Sequence, residues 1–166
     1  MKKLALVAAF LCTGLVVSAQ KIGHVSAAEI VAAMPAKKTA DAEIEALSKK
    51  YQADIEIKMV ALQKKANQYQ EKVKTASPEQ LEQWKQEIQK GSQAIDKMKV
   101  ESYKAIEKKK QDLLNPIINK VQESINKIAK AQGINYVLDS SRGGVLVYAE
   151  GGNDITPAVK KDLGIQ

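Results

Sequence analysis

The sequence predicts a mainly α-helical protein with a small β body, an α+β chain in which a long antiparallel helical hairpin projects from short strands. Three observations lead there. Residues 36–76 contain neither Gly nor Pro and are dominated by Ala, Glu, Lys, Gln and Leu, which are strong helix formers. Ser77-Pro78-Glu79-Gln80 then starts a second helix directly after the first. Short apolar segments of strand character lie outside this pair, at residues 21–25, 134–139 and 145–149.

The composition agrees. The chain has 166 residues, a formal net charge of +7, 45% hydrophobic and 27% charged residues, and only 4% aromatics. Nine Gly and four Pro argue against a β-sandwich, a collagen-like chain and linker-type disorder. One His and one Cys argue against most metal-site and nucleophile chemistry.

The N-terminus reads as an export signal. Met1-Lys2-Lys3 is a positive n-region, Leu4 to Val17 is apolar, and Val17-Ser18-Ala19 offers small residues before Gln20. This is the pattern of a secretory signal peptide, residues 1–19. The apolar run falls short of the about 20 residues needed to cross a bilayer. Phe10-Leu11 precede Cys12, where a lipoprotein site needs small residues, so Cys12 is expected to leave with the signal. The mature chain then has no Cys and owes nothing to disulfides or thiolate sites. Its compartment lies outside the cytoplasm, without ATP, so its work is expected to be driven by binding alone.

Each element has its own signal. Lys21-Ile-Gly-His-Val25 reads as a strand, and Ala27 to Met34 as a short helix punctuated by Pro35. In the first long helix, Ile44, Leu47, Tyr51, Ile55, Met59, Leu62, Ala66, Tyr69 and Val73 recur at steps of three and four, which draws one apolar stripe. Ser77 is an N-cap, Pro78 suits the first helical position, and Ser-x-x-Gln is a capping box. Two long helices joined this tightly must run antiparallel. In the second, Trp84, Ile95, Ile106, Ile117 and Ile128 stand eleven apart, with a companion row Tyr103, Leu114 and Ile125. That spacing predicts straight or slightly right-handed packing. Pro116 predicts a kink rather than an end, because the periodicity continues past it. Lys130 and Gly133 are C-terminal signals. Ile134–Asp139 and Val145–Ala149, joined by Ser140-Ser-Arg-Gly-Gly144, predict a strand hairpin. Thr156-Pro157 opens a short helix ending near Gly164.

At ~1.5 Å per residue the two long helices span roughly 60 and 80 Å, against ~30–35 Å for a compact domain of this size. The hairpin must therefore project. This divides the chain into the signal 1–19, an arm 36–111, and a body formed by 20–35 with 112–166. A body of three short strands buries little, so it is expected to be completed by self-association. The candidate oligomerisation residues are Ile22, Val25, Tyr136, Leu138, Val145 and Val147.

Charge is segregated. Residues 37–110 hold 17 Lys and 12 acids, whereas residues 111–166 balance 6 basic against 6 acidic groups. Lysine without arginine favours diffuse attraction over shaped phosphate recognition. Lys49, Lys50, Lys64, Lys65, Lys72, Lys74, Lys97, Lys108 and Lys109 are candidate partner-binding residues of the arm. Met59 and Met98 join them, and Met34, Met59 and Met98 are all adaptable contacts if exposed. Solvated faces and hairpin packing are the plain alternatives for the same residues. Acidic, unfolded or membrane-bound partners suit such an arm, an anionic membrane surface among them. Nucleic acid is not expected, because the mature chain has a single Arg, Arg142, and lacks interleaved aromatics. His24 reads as a packed strand residue, and Ser140-Ser141 as a loop without a base. Gly143-Gly144 and Gly151-Gly152 are turn glycines and form no phosphate fingerprint. No catalytic residue, metal or cofactor is expected.

Lys21–Val25 after a signal peptide, the Lys/Glu/Gln/Ala hairpin, Leu113-Leu-Asn-Pro-Ile117 leading to Ile128-Ala-Lys130, Ile134–Asp139, Val145–Tyr148 and Asp154-Ile-Thr156 follow one another in an order that resembles the Skp/OmpH-like family of periplasmic chaperones. The resemblance covers essentially the whole mature chain. His24 departs from it, at a position where an aromatic or apolar residue is expected. The resemblance implies a periplasmic homotrimer with a jellyfish shape, whose three hairpins surround a cavity. It also implies an ATP-independent holdase that keeps unfolded outer-membrane β-barrel proteins from aggregating. No lipopolysaccharide site is carried over, because its basic residues have no matched positions here. A structural or tethering coiled coil of the envelope, without holdase activity, is the alternative.

Overall fold

A computed structural model describes residues 20–146 and 152–165. The elements are β1 (Ile22–Val25), α1 (Ala27–Ala33), α2 (Pro35–Lys72), α3 (Pro78–Ala131), β2 (Tyr136–Asp139), β3 (Asn153–Asp154) and α4 (Thr156–Asp162). The expected signal peptide, residues 1–19, lies outside the described residues.

Helix boundaries fall where local chemistry puts them. Met34, forced extended by the proline after it, has φ −71° and ψ 127° and separates α1 from α2, with Pro35 opening α2. At the hairpin turn the Gln80 N–H donates to Ser77 Oγ at 3.2 Å, and the Ser77 N–H donates to Gln80 Oε1 at 2.9 Å. Both halves of the expected capping box are present. α3 runs unbroken through Pro116. It ends in a Schellman turn: Gly133 has φ 65°, the Gly133 N–H donates to the Lys130 carbonyl, and the Ile134 N–H donates to the Ala129 carbonyl at 2.9 Å. Glycine is the residue that takes this left-handed conformation without a Cβ penalty.

α2 and α3 pack along most of α2. Tyr69 stacks on Trp84 with centroids 4.7 Å apart, and Lys109 pairs with Glu43 at 2.7 Å near the root. The seam side of α3 consists of Trp84, Gly91, Met98 and Ala105 in one row, and Ile88, Ile95, Ser102 and Lys109 in another. Members of each row stand seven apart, which is the repeat of a left-handed coiled coil. This corrects the eleven-residue reading for the arm, where Tyr103 of the companion row is exposed. The large residues alone traced the wrong period, because Gly91, Ser102 and Ala105 hold three of these eight seam positions. Gly91 is there for closeness: a Cβ on it would stand 2.5 Å from Leu62 Cδ1.

The strands form one sheet in the order β2-β1-β3. Both pairings are parallel, with Ile22 opposite Tyr136, His24 opposite Leu138, and His24 also opposite Asp154. β2 is an edge strand, and the partner expected for it in a hairpin, Val145–Ala149, falls largely outside the described residues. Val145 and Leu146 are in a turn and its exit, and residues 147–149 lie outside the described residues. Parallel pairing requires a long crossover, and the helical arm is that crossover. The third strand is Asn153–Asp154, whose polar residues carry no strand pattern.

The core lies where the sheet, α1, α4 and the C-terminal half of α3 meet. It contains Val25, Ile30, Met34, Ile117, Val121, Ile125, Ile134, Ile155 and Val159, with Ala40 from the root of α2. Ile30, Ile155 and Val159 are fully buried. Ile30→Ala is expected to lower stability by about 3 kcal/mol through the cavity it leaves, read as a shifted midpoint in urea. Ser77→Ala should cost about 1 kcal/mol, seen as faster amide exchange around the turn with the core signals unchanged.

Candidate functional site

Two surfaces stand out: the basic arm and the uncovered face of the sheet. The sequence-selected lysines of the arm divide into two kinds. Some are neutralised along their own helix. Lys49 pairs with Glu45 at 2.6 Å, Lys97 with Glu101 at 3.7 Å and Lys108 with Asp112 at 3.1 Å. The Lys49 ammonium, first by hydrogen bonding and then by charge, holds the Glu45 carboxyl below its ordinary value. Two more cross the hairpin, Lys109 to Glu43 and Lys65 to Glu87. Lys50, Lys64, Lys72 and Lys74 are exposed and pair with no carboxylate among the described residues. Exposed pairs of the first kind contribute little to stability, but they cancel the local field.

The methionines also part. Met59 is half exposed beside the seam. Met98 is a seam residue, and it lines an open groove of about 570 Å³ with Ala61, Leu62, Gly91, Ala94 and Ile95. Met34 is in the core. One cluster was missed in the sequence. Glu87 accepts from the Tyr69 hydroxyl and pairs with Lys65, while Lys65 Nζ stands 5.7 Å over the Tyr69 ring. The Lys65 hydrogen bond, then that from Tyr69, draws the Glu87 carboxyl down, and Glu87 raises both Lys65 and Tyr69. Its residues come from two helices at 65, 69, 84 and 87, a proximity that only hairpin register supplies.

On the body, alternation along the strands sorts the candidate oligomerisation residues. Ile22 and Tyr136 are exposed opposite each other, with His24 and Leu138 half-buried beside them on the same sheet face. Val25 points the other way and is buried in the chain's own core. It is thus a folding residue here, because the two-residue period of a strand puts it opposite Ile22 and His24. Val145 is about half exposed in the turn. Val147 lies outside the described residues. An open cavity of about 750 Å³ lies between β2 and α3, bounded by Ile125, Ala129, Val137, Leu138 and Val145.

Two aspartates tie the body together. The Ala27 N–H at the start of α1 donates to Asp139 Oδ1 at 3.3 Å, and the Ser141 N–H donates to the same oxygen at 3.0 Å. Asp139 thus caps a helix far away in sequence, whose own N-cap Ser26 makes no side-chain cap. Asp154 accepts from the Thr156 N–H at 2.8 Å, while Thr156 Oγ1 accepts from the Ser26 N–H at 2.9 Å. Burial pushes both carboxyls up. The bonds from Ser141 and Ala27 outweigh it for Asp139, and those from Thr156 with the nearby His24 outweigh it for Asp154, so both lie below the ordinary value. Among the described residues no group of acids, His or Cys is arranged to hold a metal. Likewise no described helix is long and apolar enough to cross a membrane.

The architecture is thus a basic helical arm inserted as the crossover of a small parallel sheet. Comparison places it further. The family model described as Outer membrane protein (OmpH-like) matches residues 21–163, and the chain belongs to that family. A crystal structure of an OmpH-like protein from Caulobacter crescentus CB15, described as a candidate outer membrane chaperone, has a TM-score of 0.72 at 23% identity. The match covers 88% of this chain and 85% of that one. At that identity it establishes the fold: the long helical hairpin on a small sheet. No curated protein matches the chain.

Two expectations follow from the site. A carboxyl held low in the folded state stabilises above its unfolded pKa and loses that contribution as pH falls through the folded one. The melting temperature should therefore begin to drop as pH falls to about 3.9, the value of an unperturbed Asp, and keep dropping below it as the lower folded values are passed. Asp139→Asn should melt lower at pH 7 and show a smaller acid-induced drop. Glu87→Gln should loosen the outer half of the arm, read as faster amide exchange around Tyr69 and Trp84 with the body unchanged.

Proposed function

We propose that the protein is an ATP-independent holdase chaperone of the periplasm that shelters unfolded outer-membrane β-barrel proteins before their assembly. The observation that carries this reading is the arm. It is far longer than its body, basic, and exposes aliphatic side chains such as Ile57, Val60 and Val100, which are available for weak apolar contacts. Membership of the OmpH-like family and the chaperone description given to the similar Caulobacter protein support it.

In this reading residues 20–35 and 112–166 are the assembly body and 36–111 the arm. Three copies associate through the open sheet face around Ile22, Tyr136 and Leu138, with Val145 and Val147 nearby, and their arms enclose a cavity. Closing that face satisfies the tendency of parallel sheets to be covered on both sides. Binding is the sum of many weak apolar and lysine contacts made at high effective concentration. Lysine attraction reaches an acidic client over about 10 Å at moderate salt, and release needs no nucleotide. An anionic membrane surface is a further partner suited to the same charge.

The test is light scattering of a urea-diluted outer-membrane β-barrel protein with and without residues 20–166, in the absence of nucleotide. Suppression at about one oligomer per client, weaker in salt, is expected. Unchanged scattering from a folded, oligomeric preparation would overturn the holdase reading in favour of a structural envelope coiled coil.

A further inference from the structure

The chain has one histidine, and the sheet puts it in the middle of the uncovered face. His24 on β1 stands in register between Leu138 on β2 and Asp154 on β3. Residues paired in register share a face, so Leu138, His24 and Asp154 form one row across it. Ile22 and Tyr136, 54% and 55% exposed, form the row below. Gly23 and Val25 face the core instead.

The ionisable company of His24 among the described residues is small. On β2 it is the neutral phenol of Tyr136, and on β3 it is Asp154. At the start of β1, Lys21 Nζ is turned to the Gln132 carbonyl, to which it donates at 2.9 Å. At the end of β2, Asp139 is in register with Val25, holds the Ala27 N–H and has Arg142 at 3.5 Å. Lys130 borders the cavity between β2 and α3. α1, α4 and the body half of α3 pack on the Val25 side, and there Glu29 pairs with Lys160 and Lys127 with Asp162. Asp154 is thus the carboxylate that shares a row with His24.

Thr156 keeps that carboxylate charged. Its N–H donates to Asp154 Oδ1 at 2.8 Å. Burial raises the Asp154 carboxyl, but the bonds from Thr156 and the nearby imidazole outweigh it, so it lies below its ordinary value. A lone carboxylate is strongly disfavoured away from water, and an adjacent cation offsets much of that penalty. A surface that closes over Ile22, Tyr136 and Leu138 meets this charge. Neutral His24 leaves it uncompensated, whereas protonated His24 cancels it from the next strand.

We propose that His24 and Asp154 make association of copies through this face proton-dependent: assembly takes up a proton on His24, and mild acid strengthens it. The proposal rests on the self-association reading of the sheet face and adds its regulation. An unperturbed imidazole titrates near about 6.5, and no other unperturbed side chain changes charge between about pH 5 and 8. A site that gains by holding a proton has that gain in full below the free value and loses it as pH rises through the higher bound value. The working window is therefore about pH 6 to 8, well above the about 3.9 of an unperturbed Asp.

The experiment follows dissociation of residues 20–166 on dilution, by fluorescence-detected sedimentation, at pH 8 and pH 6 in the same salt. The wild type is expected to half-dissociate at a concentration about tenfold lower at pH 6. His24→Gln keeps a polar side chain without a titration in this range and should lose the difference. Asp154→Asn keeps an Oδ1 acceptor for Thr156 but not the charge, so protonating His24 then opposes burial and acid should weaken assembly. Circular dichroism checks the fold, and each variant is compared with itself at two pH values, so a general loss of stability does not imitate the result. A wild-type midpoint that is unchanged or higher at pH 6, or a wild-type shift that persists in either variant, would overturn the proposal while leaving self-association intact. A folded chain that stays monomeric at both pH values would overturn the self-association reading as well.

Discussion

The parallel pairing of β1 with β2 is the constraint on which the rest depends. Two parallel neighbours cannot be joined by a turn. The chain has to leave the end of β1 and re-enter beside its start, and here it does so through the entire arm. The inequality of the two long helices follows. α3 has 54 residues against 38 in α2, and its surplus runs back across the body, where Ile117, Val121 and Ile125 enter the core. The same pairing ties both arm roots to one point. The Asn135 N–H donates to the Lys21 carbonyl at 2.8 Å, and the Ser140 N–H to the Val25 carbonyl at 2.8 Å. The arm is therefore held at its base by a ladder and is free to extend elsewhere.

The body is small, and its polar links compensate for that. Asp139 satisfies the first turn of α1, Asp154 and Thr156 join β3 to the Ser26 backbone, and Asp162 accepts from Ser124 at 2.7 Å while pairing with Lys127. Each joins segments far apart in sequence. Helix starts leave orphan N–H groups, and a short helix such as α1 cannot supply enough of its own partners. Carboxylates from the strands do so instead. Structural acids thus concentrate in the body, while the lysines of the arm stay largely on its surface. The neutral body and the basic arm have different electrostatic tasks.

Along the arm, stability and exposure are kept apart. Tyr69, Trp84, Ile88 and Ile95 pack in the seam, and Gly91 allows the helices to approach. Ile57 and Val60 sit on the far side of α2, where the partner helix cannot reach them. Many of the lysines are paired along their own helix, as Lys49 is with Glu45, Lys97 with Glu101 and Lys108 with Asp112, while Lys65 and Lys109 reach across to the other helix. What distinguishes the lysines is therefore their company, which a list of basic residues does not express.

Much of this was legible before any coordinates. Helix composition, Ser77-Pro78 with Gln80, Pro35, Lys130 with Gly133, and Thr156-Pro157 located every helix, because caps and breakers act over a few residues and depend on nothing distant. The strands at Ile22–Val25 and Tyr136–Asp139 were equally plain from their apolar residues. Other features arise only when distant residues meet. Asn153–Asp154 has no strand pattern and becomes a strand because β1 offers it an edge. The parallel pairing of β2 with β1 is another, because register between segments over a hundred residues apart is decided by packing. The seven-residue seam was hidden because Gly91, Ser102 and Ala105 do not look like core until a facing helix fills the space over them. Sequence by itself determined the helices, their caps and the basic hairpin, since those follow from local propensity and charge. Tertiary structure alone decided which face of each strand, which side of each helix and which lysines are left open, because exposure is a property of neighbours that the chain brings together only by folding.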